Sequence, residues 1–98
     1  MDIQELTTEM HRFVTEMGWY DQDSPKPQTP RNLALSLVIE SAEVLEHFQW
    51  GEESHSQESL ASELADVALY LLQLANETGI DLEHAILAKL QKNYGRSW

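Results

Sequence analysis

Apolar residues recur with a helical period along most of the chain, and no stretch shows the strict alternation of a half-buried strand. Ile3, Leu6, Met10, Phe13, Val14 and Met17 fall on one stripe, with Asp2 placed to cap a first helix and Gly18 to end it. A polar loop from Trp19 to Thr29 follows, marked by Pro25 and Pro27. Thr29-Pro30 is a capping residue followed by proline at the first helical position, so a second helix is expected from there to Gly51. Glu52 to Ser56 is a polar link in which Ser54, with Gln57, predicts a capping box for a third helix that ends near Thr78, before Gly79. Asp81 then caps a fourth helix reaching roughly Asn93. These elements predict an all-α, four-helix bundle-type subunit, with residues 1–98 in one domain.

The second and third helices are apolar around most of their circumference. The second carries Leu33, Leu35, Leu37, Val38, Ile39, Ala42, Val44, Leu45 and Phe48, and the third Leu60, Leu64, Val67, Leu69, Leu71, Leu72 and Leu74. A chain of 98 residues, 42% of them hydrophobic, leaves a large fraction of its surface exposed when it folds alone. The core is therefore expected to be completed by further copies, as a homo-oligomer, dimer or tetramer.

Charge narrows the class of partner. The formal net charge is −11, and from Asn32 through Ala88 there is no Lys or Arg at all; Arg12, Lys26 and Arg31 precede that span and Lys89, Lys92 and Arg96 follow it. A nucleic-acid polymer as partner is excluded, because a polyphosphate chain needs a basic surface to displace its counterions. The longest uncharged run, Val67 to Asn76, falls far short of the roughly 20 apolar residues that a membrane span requires. With no cysteine there is neither a disulfide framework nor a thiolate metal site, and Met1 to Glu9 has acids where a secretory signal would be basic and then apolar. A cytoplasmic protein is expected.

Within the acidic span, Glu40 and Glu43 share a face of the second helix, continued by Ser36, His47 and Trp50, while Glu63 and Asp66 share a face of the third with Tyr70 and Gln73. Acidic stripes are usually solvated faces of amphipathic helices. Such faces mix signs, however, whereas neither stripe here has a Lys or Arg three or four positions away. Enclosing these helices would press unpaired carboxylates together, an arrangement costly enough to recruit a cation. Oxygen-only ligands select a hard metal, so Mg²⁺, or Mn²⁺ in its place, is expected on Glu40, Glu43, Glu63 and Asp66. The Glu-x-x-His repeat of di-iron bundles is absent from both helices, which argues against redox chemistry. His47 is the histidine on a stripe, either a polar contact near substrate or a surface residue.

On the fourth helix Lys89, Lys92, Asn93 and Arg96 fall at i, i+3, i+4 and i+7, a basic face suited to a polyphosphate, although cations near a helix C-terminus also satisfy the helix dipole. Trp19, Trp50 and Tyr70 are candidates to stack a nucleobase, and equally candidates for core or interface. Two readings therefore stand: a metal-dependent enzyme acting on a nucleoside triphosphate, and a non-catalytic acidic helical module that docks a basic partner protein.

The segments Pro30-Arg31-Asn32-Leu33, Glu40-Ser-Ala-Glu43, Phe48-Gln49-Trp50 and Glu63-Leu-Ala-Asp66-Val-Ala-Leu-Tyr70, with Gly79-Ile80-Asp81-Leu82 and the closing Lys89, Asn93 and Arg96, cover nearly the whole chain. Together they resemble the MazG-like branch of the all-α nucleoside triphosphate pyrophosphohydrolases, closest to the dCTP pyrophosphatases. The resemblance implies hydrolysis between the α and β phosphates, with Mg²⁺ on the four acids and Glu40 as the acid that also orients or deprotonates the attacking water. By position it implies Trp19, Trp50 and Tyr70 around base and sugar, and Lys89 and Asn93 toward the phosphates; Arg31, His47, Lys92 and Arg96 are candidates for further substrate contacts beside these. One departure stands out: the pocket histidine that relatives carry on the first helix falls at Met10, with His11 one position off.

Overall fold

The computed structural model describes residues 1–97. It consists of α1 (Ile3–Glu16), α2 (Pro30–Glu46), α3 (Gln57–Glu77) and α4 (Leu82–Tyr94), with no strand among the described residues. Each helix starts on a side chain that accepts from its own first turn. Asp2 Oδ1 accepts from the Glu5 N–H at 2.8 Å, Thr29 Oγ1 from Asn32 at 3.2 Å, Ser56 Oγ from Ser59 at 3.2 Å and Asp81 Oδ1 from His84 at 3.1 Å. Loss of such a cap costs about 1 kcal/mol, enough to locate a helix start by local chemistry.

Two boundaries differ from expectation. The cap of α3 is Ser56 and not Ser54, whose hydroxyl bonds the Ser56 backbone and the His47 ring instead. The second helix stops at Glu46, five residues before Gly51. Beyond it the backbone tightens into i→i+3 turns, with the Phe48 N–H on the Leu45 carbonyl at 2.9 Å and the Gln49 N–H on Glu46 at 3.4 Å. At the ends of α1 and α3 the glycines do what the pattern asks. Gly18 (φ +75°) and Gly79 (φ +71°) take the left-handed conformation, which turns the Trp19 N–H back onto the Val14 carbonyl and the Ile80 N–H onto Ala75.

Packing is led by α2 against α3, with α1 laid on α3 and α4 chiefly on α1. Met10, Val14 and Leu72 form the buried cluster, ringed by Ile3, Trp19, Tyr20 and Leu82, and Leu33 and Ala75 are buried besides. The chain by itself does not enclose its two most apolar helices. Val38 (68% exposed) and Leu45 (70%) on α2 face solvent with Leu35 and Ile39, as do Leu64, Leu69 and Leu71 on α3 and Leu87 and Leu90 on α4. Among the described residues no helix is long and apolar enough to cross a membrane.

Candidate active site

Because α2 and α3 pack along one another, Glu40 and Glu43 on one come beside Glu63 and Asp66 on the other, and all four are partly buried. The clearest sign is Glu40. Its carboxyl is pushed above the usual carboxylate range, first by burial, then by the adjoining Glu43 through hydrogen bonding and charge, and then by the charges of Asp66 and Glu63. Its Oε2 is closed off from solvent and has no hydrogen-bond partner. A buried, unpartnered carboxylate oxygen amid three further carboxylates is costly unless it is protonated or meets a cation.

That donor set fits a hard divalent ion. Among the described residues no three His, Cys, Asp or Glu side chains close into a ready metal cage. Mg²⁺ does not require one, since it commonly keeps several waters and takes one or two carboxylates together with substrate phosphates.

Beside the acids lies a cavity of about 400 Å³, in the size range of small-ligand sites. Asp66, alone of the four acids, stands on its wall with Met10, Phe13, Trp19, Leu69 and Tyr70, so an aromatic, mostly apolar chamber adjoins the acidic group at Asp66. Met10 gives this wall an apolar side chain, while the His11 ring lies outside it, tilted against Tyr20 with centroids 5.0 Å apart. A second cavity, about 430 Å³, is bordered by the proline loop and by Asn32, Leu33 and Ser36 of α2; Trp19 and Tyr70 line it too. Trp19 is held by Phe13, edge to face at 5.5 Å, and by Lys26, whose Nζ lies 4.8 Å from the ring centroid. The loop is tied down by the buried Gln73, whose Nε2 donates to Gln28 Oε1 at 2.6 Å.

The other expected site residues lie elsewhere. Trp50, 91% exposed, borders neither cavity. Arg31 is exposed in the first turn of α2, and Lys89, Lys92 and Arg96 are exposed on or just beyond α4, which packs on α1 and not chiefly on the acidic pair. Asn93 is half-buried, with Oδ1 closed off and unpartnered. His47 is neither a surface residue nor open to the chambers. It is 4% exposed, with Nε2 against Glu63 Oε2. Lys26 and the Gln28–Gln73 pair were not singled out from the sequence; the Pro25-Lys26-Pro27 stretch, a cation on a stiffened loop, was the available signal for the first.

Known proteins resemble this chain over most of its length. The model of the MazG-like family matches residues 35–97. The chain is 36% identical to human dCTP pyrophosphatase 1 over 97% of its length, and 34% identical to the rat protein over the same share. It spans 56% of the length of each of these relatives. A pyrophosphatase from Archaeoglobus fulgidus superposes with a TM-score of 0.78 at 35% identity, covering 93% of this chain and 87% of that one.

Proposed function

This chain belongs to the MazG-like family, and from that premise we propose that it hydrolyses (deoxy)nucleoside triphosphates to the monophosphate and pyrophosphate. Mg²⁺ is the proposed cation, and dCTP or a related deoxynucleotide the proposed substrate. The observation that carries this reading is the burial of the unpartnered Glu40 Oε2 among Glu43, Glu63 and Asp66, the last of which lines an aromatic chamber. The names of the curated relatives support the choice of substrate.

In this reading Glu40, Glu43, Glu63 and Asp66 hold the cation. When bound, it neutralises charge on the phosphate oxygens and acidifies a nearby water. Glu40 is the acid proposed to orient the attacking water and accept its proton. Trp19 and Tyr70 enclose base and sugar; Trp50, Arg31, Lys89, Lys92, Asn93 and Arg96 border neither cavity of a single chain, and we propose them as substrate contacts only where copies associate. The exposed apolar faces of α2, α3 and α4 support a homo-oligomer, in which copies cover one another.

The test is product identity. Incubation with each nucleotide and Mg²⁺ should yield monophosphate and pyrophosphate, and fastest from dCTP or a related deoxynucleotide. A nucleoside diphosphate appearing first would overturn the reading.

A further inference from the structure

The link between α2 and α3 folds back on itself around one imidazole. His47, one residue beyond α2, is among the few buried polar side chains of the subunit. Its Nδ1 lies 2.9 Å from Ser54 Oγ, and its ring is stacked nearly parallel on His55, with centroids 4.1 Å apart and planes 6° from parallel. Ser54 is itself fixed: its Oγ accepts from the Ser56 N–H at 3.2 Å and lies 3.0 Å from the Ser56 carbonyl. Ser56 in turn is the cap of α3. The ring is thus gripped at one nitrogen and covered on one face, and its free direction is set. That direction ends on Glu63, with Nε2 against Oε2.

We propose that His47 is a positioning residue for the metal site: clamped by Ser54 and His55, it takes one oxygen of Glu63 and so turns the other toward the cation. The inference rests on the metal reading of Glu63 given above, and it assigns His47 a place behind the acids instead of against substrate. Glu40 Oε2 and Glu63 Oε2 are both closed off from solvent without a hydrogen-bond partner, but Glu63 Oε2 has the His47 ring nitrogen directly against it. A carboxylate with one oxygen committed this way has lost most of its rotational freedom before a ligand arrives. Partners of this kind, standing behind the ligands themselves, typically account for 10- to 100-fold in metal affinity. The tight turns that follow Glu46 deliver His47 to the link.

The test uses Mn²⁺ alone, titrated into the full-length protein, with free Mn²⁺ followed by its electron paramagnetic resonance signal and folding checked by circular dichroism. His47→Leu, which keeps bulk and loses both nitrogens, should raise the Mn²⁺ dissociation constant about 10- to 100-fold. His47→Gln, whose amide N–H can still reach Glu63, should recover most of the loss. Ser54→Ala trims only a hydroxyl and leaves the ring in place, so it should weaken Mn²⁺ in the same direction by less. In a Glu63→Gln background, His47→Leu should add nothing. Wild-type affinity in both His47→Leu and Ser54→Ala, or an undiminished effect of His47→Leu without the Glu63 carboxylate, would overturn the positioning role while leaving the metal reading intact. A wild-type protein that does not bind Mn²⁺ would overturn both.

Discussion

Trp19, on the loop after α1, and Tyr70, in the middle of α3, stand together on the walls of both main cavities, so the two chambers share an aromatic partition. Phe13, in a T-shaped contact, and Lys26, over the π-face, hold the Trp19 ring. A flat, restrained aromatic surface beside Asp66 is suited to a nucleobase whose phosphates reach the acids.

Trp19→Ala should therefore weaken binding of dCTP more than binding of pyrophosphate. Losing a stacking partner costs about 1 to 3 kcal/mol per base and leaves the phosphate contacts untouched. Calorimetric titration of both ligands decides it; equal losses would make Trp19 a core residue only.

Among the acids, Glu40→Gln is the change expected to stabilise the metal-free protein. Glu40 is the acid whose carboxyl the crowding of Glu43, Asp66 and Glu63 pushes up, and its Oε2 is closed off without a partner. Removing the charge should raise the melting temperature in EDTA by a few degrees, given about 4–8 °C per kcal/mol for a domain of this size. The stabilisation by Mg²⁺ should shrink, because a cation that binds the folded state stabilises it by RT ln(1 + [L]/Kd). Melting curves with EDTA and with Mg²⁺ check both; an unchanged Mg²⁺ shift would remove Glu40 from the site.

Tyr20 ionises late. Burial, then the charge and hydrogen bonding of Glu77, raise its pKa from 10.0 to about 12, with Gln73 acting weakly in the opposite sense. A phenol whose proton is held more tightly in the folded state contributes stability that is fully present below pH 10 and lost as pH rises through about 12. Ultraviolet titration should show one of the three tyrosines titrating last. Glu77→Gln should bring it earlier.

The uncovered α2 face predicts association. Light scattering should give a mass above the 11.2 kDa of one chain, and Val38→Asp with Leu45→Glu should shift it toward that value, because charges would then have to be buried without partners. A wild-type protein that is monomeric and active on dilution would contradict this.

Much of this protein was determined by sequence alone, and the reason is that the deciding interactions are local. Asp2, Thr29 and Asp81 cap within three residues of themselves, Gly18 and Gly79 stop helices by their own backbone freedom, and Glu40 with Glu43, or Glu63 with Asp66, share a face by helical period. Tertiary structure decided what no periodicity reports. An apolar stripe says that a face must be covered and not by what, so that α4 lies on α1, and that Val38 and Leu45 stay open in one subunit, could not be read along the chain. His47 sits on the same stripe as Glu40 and Glu43, yet it is buried where Trp50 is bare, because the helix gives way to tight turns after Glu46 and the link from Gly51 to Ser56 closes over the imidazole. Residues up to 16 apart meet there, Glu63 with His47, and a contact of that separation follows from how α2 and α3 pack, not from the spacing of residues within either.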